Sequence, residues 1–173
     1  MVNTRRRECV ITDTSVLINF LAVDQVSLLL DHPSYDFVLT DHVRVEVTEY
    51  YPEQFARLEA IIADGYLRQL TVNTPEELEI FAALTIERRL GAGECAAIAA
   101  AVFRGCGIAI DDRTAIKQVA RLYPGVRVET TQSIVVGLIR LGRLNVATAD
   151  ELKDRWQNQH RFRLPFRSFR EVL

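Results

Sequence analysis

Acidic residues stand at four places in this sequence where a carboxylate is costly. Asp13 and the pair Asp111 and Asp112 directly follow apolar segments typical of buried strands. Glu46 lies near the apolar side of a helical segment, and Glu94 opens a helix made almost entirely of small apolar residues. Two carboxylates about 4 Å apart repel by about 4 kcal/mol at an effective dielectric constant of about 20. If these acids meet in the fold, we expect some to be protonated or a divalent cation to bind between them.

The donor atoms indicate which cation would fit. Carboxylate oxygens suit Mg²⁺ or Mn²⁺, and the His and Cys residues lack the spacing that holds zinc. Taken alone, Asp13 has a simpler explanation, because Asp is a common N-cap residue and a helical pattern begins directly after it.

The elements that must position these acids alternate between strand and helix. Apolar segments typical of strands begin at Val10 and cover residues 37–39, 67–72, 108–110 and 126–128, with helical patterns between them. This alternation predicts an α/β fold, a three-layer α/β/α sandwich with a mainly parallel central sheet. The carboxyl ends of parallel strands share one edge, where ligands bind in such folds, so Asp13 and Asp112 are expected there together.

Composition narrows the class of protein. The chain has 173 residues, 49% of them hydrophobic, which is typical of one globular domain with a well-filled core. A net charge of −2 means that nucleic-acid binding would need a local basic patch. Cys9, Cys95 and Cys106 indicate reduced thiols in a cytoplasmic protein. We predict no export signal and no membrane-spanning segment.

The segments that carry the acids resemble the PIN-domain nuclease family, in particular prokaryotic VapC-like toxins or stand-alone relatives. They are residues 10–18 (VITDTSVLI), 43–47 (VRVEV), 91–98 (GAGECAAI) and 110–115 (IDDRTA). The resemblance covers about residues 8–130. It implies a single PIN-like domain over residues 1–173, in which residues 131–173 form a C-terminal helical extension and a basic-aromatic tail.

The resemblance also implies roles for individual residues. The catalytic acids would be Asp13, Glu46, Glu94 and Asp112, although Glu94 stands where many family members have Asp. Metal ligands would come from Asp13, Glu94 and one or both of Asp111 and Asp112, with Asp112 favoured because the family's acid usually lies one residue beyond the strand's last polar position. Ser15 matches a recurrent hydroxyl that orients the site or its substrate.

Basic residues near these motifs have two interpretations each. Arg113 and Lys117 follow Asp112 on one helical face and form either a phosphate-contacting stripe or an ordinary solvated surface. Arg88 and Arg89 precede the turn at Gly91 and allow the same two readings, since cations also favour helix C-termini.

The remaining candidates are also ambiguous. The tail interleaves Arg with Phe and Leu, which favours packing of the apolar residues with the arginines in solvent over RNA binding. The histidines, His32, His42 and His160, lie outside the motifs and are expected to be exposed. Residues 134–141 are apolar nearly all round and predict either core or a homodimer interface.

The function implied is a Mg²⁺- or Mn²⁺-dependent endoribonuclease that hydrolyses phosphodiester bonds of single-stranded RNA. It would be the toxin of a toxin–antitoxin pair, with an antitoxin protein as partner, or a stand-alone relative, and it would form a homodimer. The alternative is a non-catalytic PIN-like module that binds RNA or protein. A phosphatase with a nucleophilic Asp13 is disfavoured, because Ser15 stands where that signature needs a second Asp.

Overall fold

The computed structural model describes residues 7–86 and 90–173, and its sheet has five strands, all parallel, in the order β3-β2-β1-β4-β5. The strands are β1 (Glu8–Thr12), β2 (Tyr35–Thr40), β3 (Arg68–Leu70), β4 (Gly107–Ala109) and β5 (Val128–Glu129). The predicted parallel sheet is confirmed.

The helices of the described residues fall between and after the strands. They are α1 (Thr14–Ala22), α2 (Ser27–Leu30), α3 (Asp41–Tyr50), α4 (Pro52–Ala63), α5 (Pro75–Ile86), α6 (Ala92–Arg104), α7 (Arg113–Leu122), α8 (Thr131–Arg140) and α9 (Val146–Gln159), followed by a 3₁₀ turn, Phe169–Val172. Arg88 and Arg89, considered above as phosphate contacts, lie outside the described residues.

The strand order places a topological switch point between β1 and β4. From β1 the chain adds β2 and then β3 on one side, and it returns to add β4 and β5 on the other side. At such a point the two connections leave in opposite directions, which opens a crevice beyond the carboxyl ends of the two central strands. Asp13 follows β1 and Asp111 follows β4 closely, so both acids lie at this crevice.

The sheet separates two hydrophobic clusters, because successive residues of a strand face opposite sides. Val10 and Leu39 pack on one side with α1, α4, α8 and α9, while Ile11, Val38 and Ile108 pack on the other with α5, α6 and α7. Helices therefore cover both faces, and the predicted three-layer α/β/α sandwich is confirmed.

The two edge strands are shorter than their hydrophobic patterns suggest. We predicted strands over residues 67–72 and 126–128, but β3 pairs with β2 only from Arg68 to Leu70, and β5 consists of Val128 and Glu129. The ladder of β3 stops opposite Thr40, which is the last residue of β2.

The C-terminal segment packs onto the same cluster as β1 and α1. Ile134, Val135 and Leu138 of α8 are buried there, as is Phe169, so the apolar face considered for a homodimer is used largely in the core. In the tail, Phe162 and its apolar neighbours pack against this cluster while Arg161, Arg163, Arg167 and Arg170 are exposed. The prediction that the tail packs by its apolar residues is confirmed.

The cysteines are free thiols, as predicted. Two of them that are far apart in sequence lie beside each other, because Cys9 is in β1 and Cys106 directly precedes the neighbouring strand β4. In the part of the chain that the structure describes, no helix is long and apolar enough to cross a membrane.

Candidate active site

Asp13 is the most enclosed acid of the crevice. It caps α1, since its Oδ2 accepts hydrogen bonds from the backbone N–H of Ser15 at 3.0 Å and from the Ser15 hydroxyl at 2.7 Å. The capping interpretation of Asp13 is thus correct, but it accounts for one oxygen only. Oδ1 is buried and has no hydrogen-bond partner among the described residues. Burial raises the pKa of Asp13, against the lowering effect of the Ser15 hydrogen bonds.

Glu46 connects the starts of two helices that both point at the crevice. Its Oε2 accepts a hydrogen bond from the Thr14 hydroxyl at 2.5 Å, and its Oε1 accepts one from the backbone N–H of Gly93 at 3.0 Å. The carboxylate lies so close to Gly93 that a Cβ there would be 2.5 Å from Cδ and 2.7 Å from Oε1. A side chain at Gly93 would therefore force the Glu46 carboxylate to move and lose these hydrogen bonds, a constraint that the sequence did not reveal.

Glu94 lies at the start of α6 and accepts a hydrogen bond from the backbone N–H of Gly91 at 2.9 Å. The pKa of Glu94 is raised to about 7, mainly by burial and also by the negative charges of Asp13, Asp112 and Glu46, while the Gly91 hydrogen bond opposes the rise. The four acids predicted from the sequence thus lie close enough together to act on one another electrostatically.

Asp111 serves a different purpose from its neighbours in the crevice. Its Oδ2 accepts hydrogen bonds from the Thr131 hydroxyl at 2.6 Å and from Asn19 Nδ2 at 3.0 Å, and its Oδ1 accepts one from the Thr131 backbone N–H at 2.9 Å. Burial raises its pKa, and these hydrogen bonds oppose the rise. Both oxygens are occupied, so Asp111 anchors α8 to the end of β4.

Asp112 is more open than Asp111. It is exposed and caps α7, because its Oδ1 accepts a hydrogen bond from the Ala115 backbone N–H at 2.8 Å. Its Oδ2 has no partner among the described residues, which makes it the better placed of the pair for a metal ligand. Arg113 and Lys117 are exposed on α7, and neither lines the cleft that contains Asp13.

Three of the acids, Asp13, Glu46 and Glu94, line a cleft of about 390 Å³, which we call the acidic cleft. Its walls include Asp13, Ser15, Glu46, Tyr51 and Glu94. The Ser15 hydroxyl donates to Asp13 and accepts from the backbone N–H of Asp111 at 3.1 Å, so it joins the ends of β1 and β4. This is a positioning role that agrees with the expected place of Ser15.

The fit of a divalent cation rests on the buried, unpartnered Oδ1 of Asp13 and on the oxygen-only donors beside it. As they stand, no three His, Cys, Asp or Glu side chains of residues 7–86 and 90–173 are arranged to hold a metal ion. Since Glu46 and Asp111 already have partners on both oxygens, the carboxylates that could turn toward a cation are Asp13, Glu94 and Asp112.

The solvent exposure predicted for one histidine was wrong. His32 was expected to be exposed but is only 2% exposed, with its ring stacked on Tyr35 at a centroid distance of 4.4 Å. Its Nδ1 accepts hydrogen bonds from the backbone N–H groups of Ser34 and Tyr35. Burial lowers the pKa of His32 to about 4. His42 and His160 are partly exposed.

The residues that form hydrogen bonds with the acidic side chains were not predicted from the sequence. Thr14, Asn19, Gly93 and Thr131 hold the carboxylates in place, and only Asn19 gave a signal, as a polar residue inside an otherwise apolar helix.

A family model described as a PIN domain matches residues 9–173. No curated protein matches the chain. A PilT N-terminus domain protein from the hyperthermophilic archaeon Sulfolobus solfataricus P2 has a similar structure, with a TM-score of 0.51 and 14% sequence identity over 79% of this chain and 94% of that one. At this identity the likeness shows a common fold.

Two further solved structures resemble the chain more distantly. VapBC2 from Rickettsia felis, bound to a DNA fragment from its promoter, has a TM-score of 0.49 and 10% identity over 70% of this chain and 98% of that one. FitAcB from Neisseria gonorrhoeae has a TM-score of 0.45 and 18% identity over 69% of this chain and 96% of that one.

Proposed function

This chain belongs to the PIN-domain family, which its match over residues 9–173 shows, and on that premise we propose that it is a Mg²⁺- or Mn²⁺-dependent endoribonuclease acting on single-stranded RNA. The observation that carries the proposal is the unpartnered, buried Oδ1 of Asp13 in a cleft shared with Glu46 and Glu94. A buried carboxylate oxygen without a hydrogen bond is costly, and a cation would relieve that cost.

Three carboxylates would hold the cation: Asp13, Glu94 and Asp112. When bound, a divalent cation supplies Lewis-acid stabilisation of charge on the phosphoryl oxygens and a more acidic water molecule. The pKa of Glu94, raised to about 7 by burial and by the negative charges of its neighbours, would fall when a cation binds, because the cation favours the ionised carboxylate.

The neighbouring groups keep these carboxylates in place. Ser15 fixes Oδ2 of Asp13, while Oδ1 has no hydrogen-bond partner among the described residues. Glu46 ties Thr14 of α1 to Gly93 of α6, which sets the distance between the two helix starts. Asp111 acts as a structural anchor through Thr131 and is not needed as a ligand.

The test is cleavage of a labelled single-stranded oligoribonucleotide by wild type and Asp13→Asn in Mg²⁺ or Mn²⁺. We expect cleavage by the wild type, its loss in EDTA, and a fall of at least about a hundredfold in Asp13→Asn, since a ligand and the site's central charge are removed. Asp64→Asn, at the exposed end of α4, is the matched control and should cleave as wild type does. Equal cleavage by Asp13→Asn would refute the proposal.

A non-catalytic binding module is the second candidate. The hydrogen bonds that occupy both oxygens of Glu46 and of Asp111 favour it, because those acids are already satisfied without metal. Calorimetric titration with Mn²⁺ separates the two functions: the nuclease should bind the ion near neutral pH, and the module should not.

The remaining expectations stay predictions of this proposal. The chain would act as a toxin held by an antitoxin partner, which a gene for a small DNA-binding protein directly upstream would support. A cytoplasmic location agrees with the three free thiols. A homodimer would be seen as a doubled mass in light scattering, and its interface would have to use residues other than the buried face of α8.

A further inference from the structure

A second cleft, of about 250 Å³, lies beside the acidic cleft, and we call it the Arg161 cleft. Its walls include Ser15, Asn19, Tyr51, Asp111, His160 and Arg161. Ser15 and Tyr51 line both clefts, so the two clefts adjoin. A polymer lying across the acids at the end of β1 would therefore extend into the Arg161 cleft.

The backbone holds Arg161 in an uncommon conformation at this place. Its φ is +57°, in the left-handed region, directly after α9 (Val146–Gln159) and its C-cap His160. Helices often end with a left-handed residue, and that residue is usually glycine because a side chain is disfavoured there. An arginine at such a position has a conformational cost, and costs of this kind concentrate at functional sites.

The flanking residues fix the segment on both sides. Phe162 packs edge-on against Trp156, with ring centroids 5.8 Å apart, and its backbone N–H donates to the Trp156 carbonyl at 3.2 Å. On the other side, the His160 backbone N–H donates to the same Trp156 carbonyl at 3.0 Å. Arg161 is therefore placed in the wall of the cleft by a rigid helix end, while its own side chain is exposed.

The charges explain what such an arginine could do. Three acids, Asp13, Glu46 and Glu94, line the neighbouring acidic cleft and would repel the phosphates of a bound RNA strand. Among residues 7–86 and 90–173, Arg161 makes no ion pair or side-chain hydrogen bond, although Asp111 lines the same cleft. Its guanidinium is free to bind a phosphate in a bidentate manner.

We propose that the Arg161 cleft binds a phosphate of the single-stranded RNA substrate away from the cleaved bond, with Arg161 as the ligand and Tyr51 as a surface on which the intervening base stacks. This inference rests on the proposed nuclease function for the identity of the polymer. Tyr51 is 36% exposed between the two clefts, and stacking on an aromatic ring is the usual sequence-tolerant contact to single strands.

The tail offers a matched control, because Arg163 is also exposed two residues farther on and does not line the cleft.

We would measure kcat and KM for cleavage of a labelled single-stranded oligoribonucleotide at several salt concentrations, and binding of the same RNA by fluorescence anisotropy. Arg161→Gln should raise KM and Kd by about tenfold with kcat nearly unchanged, since one charge-assisted contact is lost. The slope of log Kd against log salt should fall by about 0.7, the value for one phosphate of a single strand. Arg163→Gln should change KM and Kd by no more than about twofold. An arginine that does not contact the RNA phosphates displaces few of their counterions.

A further variant separates binding from folding. Arg161→Gly should lose as much affinity as Arg161→Gln, yet its urea midpoint should equal or exceed that of the wild type, since glycine suits the left-handed position. Equal effects of Arg161→Gln and Arg163→Gln, or a loss in kcat alone, would overturn the inference. Binding that depends on Arg161 without any cleavage would contradict the nuclease proposal and leave the phosphate site standing. Absence of both binding and cleavage would overturn both.

Discussion

Replacing Gly93 by alanine gives a sharp test of the site's geometry. Gly93 lies in the first turn of α6, where alanine is ordinarily the better helix residue by about 1 kcal/mol. On helix propensity alone the variant should be more stable. The structure predicts the opposite sign, because the new methyl group would lie 2.5 Å from Cδ and 2.7 Å from Oε1 of Glu46.

The expected loss of stability follows from the hydrogen bonds that the Glu46 carboxylate would lose. To avoid the methyl group its carboxylate has to move, and it then loses hydrogen bonds from the Gly93 backbone at 3.0 Å and from the Thr14 hydroxyl at 2.5 Å. Hydrogen bonds to a charged group contribute about 1.5–3 kcal/mol each. With the propensity gain subtracted, we expect a net loss of about 2–5 kcal/mol in the free energy of unfolding if both hydrogen bonds are lost.

The assay is urea unfolding followed by circular dichroism, with two other glycines as controls. At Gly137, inside α8, an added Cβ meets nothing within 4 Å, so Gly137→Ala should stabilise by up to about 1 kcal/mol. At Gly91 the Cβ would lie 3.6 Å from Oε1 of Glu46, an ordinary contact, so Gly91→Ala should cost about 1 kcal/mol or less. The double variant Gly93→Ala with Glu46→Ala removes the clash and should be more stable than Gly93→Ala alone.

The reasoning fails if Gly93→Ala is as stable as the wild type or more stable. It also fails if Glu46→Ala does not rescue it, since the cost would then come from some contact other than the one with Glu46. Both comparisons require two-state unfolding and the same slope of unfolding free energy against urea concentration in every variant.

Two further outcomes follow from buried polar groups. Because His32 has a pKa of about 4 when folded and about 6.5 when unfolded, the unfolded state takes up a proton first, and stability should fall by up to about 3 kcal/mol as pH drops from 6.5 to 4. His32→Asn, which keeps an acceptor for the backbone N–H groups, should flatten the pH dependence of the urea midpoint in that window; an unchanged slope would show that another group titrates. Thr131→Val removes the hydroxyl that donates to Asp111 at 2.6 Å and should cost about 1–3 kcal/mol, whereas Thr131→Ser keeps the hydroxyl and should cost less. Equal losses of stability in the two Thr131 variants would show that the loss comes from altered packing and not from the missing hydroxyl.

The crevice combines two kinds of acid that the sequence could not tell apart. Asp111 and Glu46 have partners on both oxygens and join separate elements, whereas Asp13 and Asp112 each keep one oxygen without a partner among the described residues. The first pair therefore stabilises the frame and the second pair is available for chemistry. Substitutions in the two pairs should be judged by different measurements, stability for the first and metal binding for the second.

The sequence by itself determined the layers and the place of the acids. The alternation of apolar segments with helical patterns is a local property, since each strand or helix repeats with its own period, and it was enough to predict the parallel sheet. Asp13 and Asp112 could be placed at one edge because all carboxyl ends of such a sheet meet there.

Only the tertiary structure decided how each side chain is used. The contact of Gly93 with Glu46, the anchoring of Asp111 by Thr131 and the burial of His32 join residues that are far apart along the chain or hidden by packing. Arg161 could not be distinguished from Arg163 before the end of α9 and the turn after it were in place. These pairings depend on where rigid elements cross in space, and the period of a hydrophobic pattern contains no information about that.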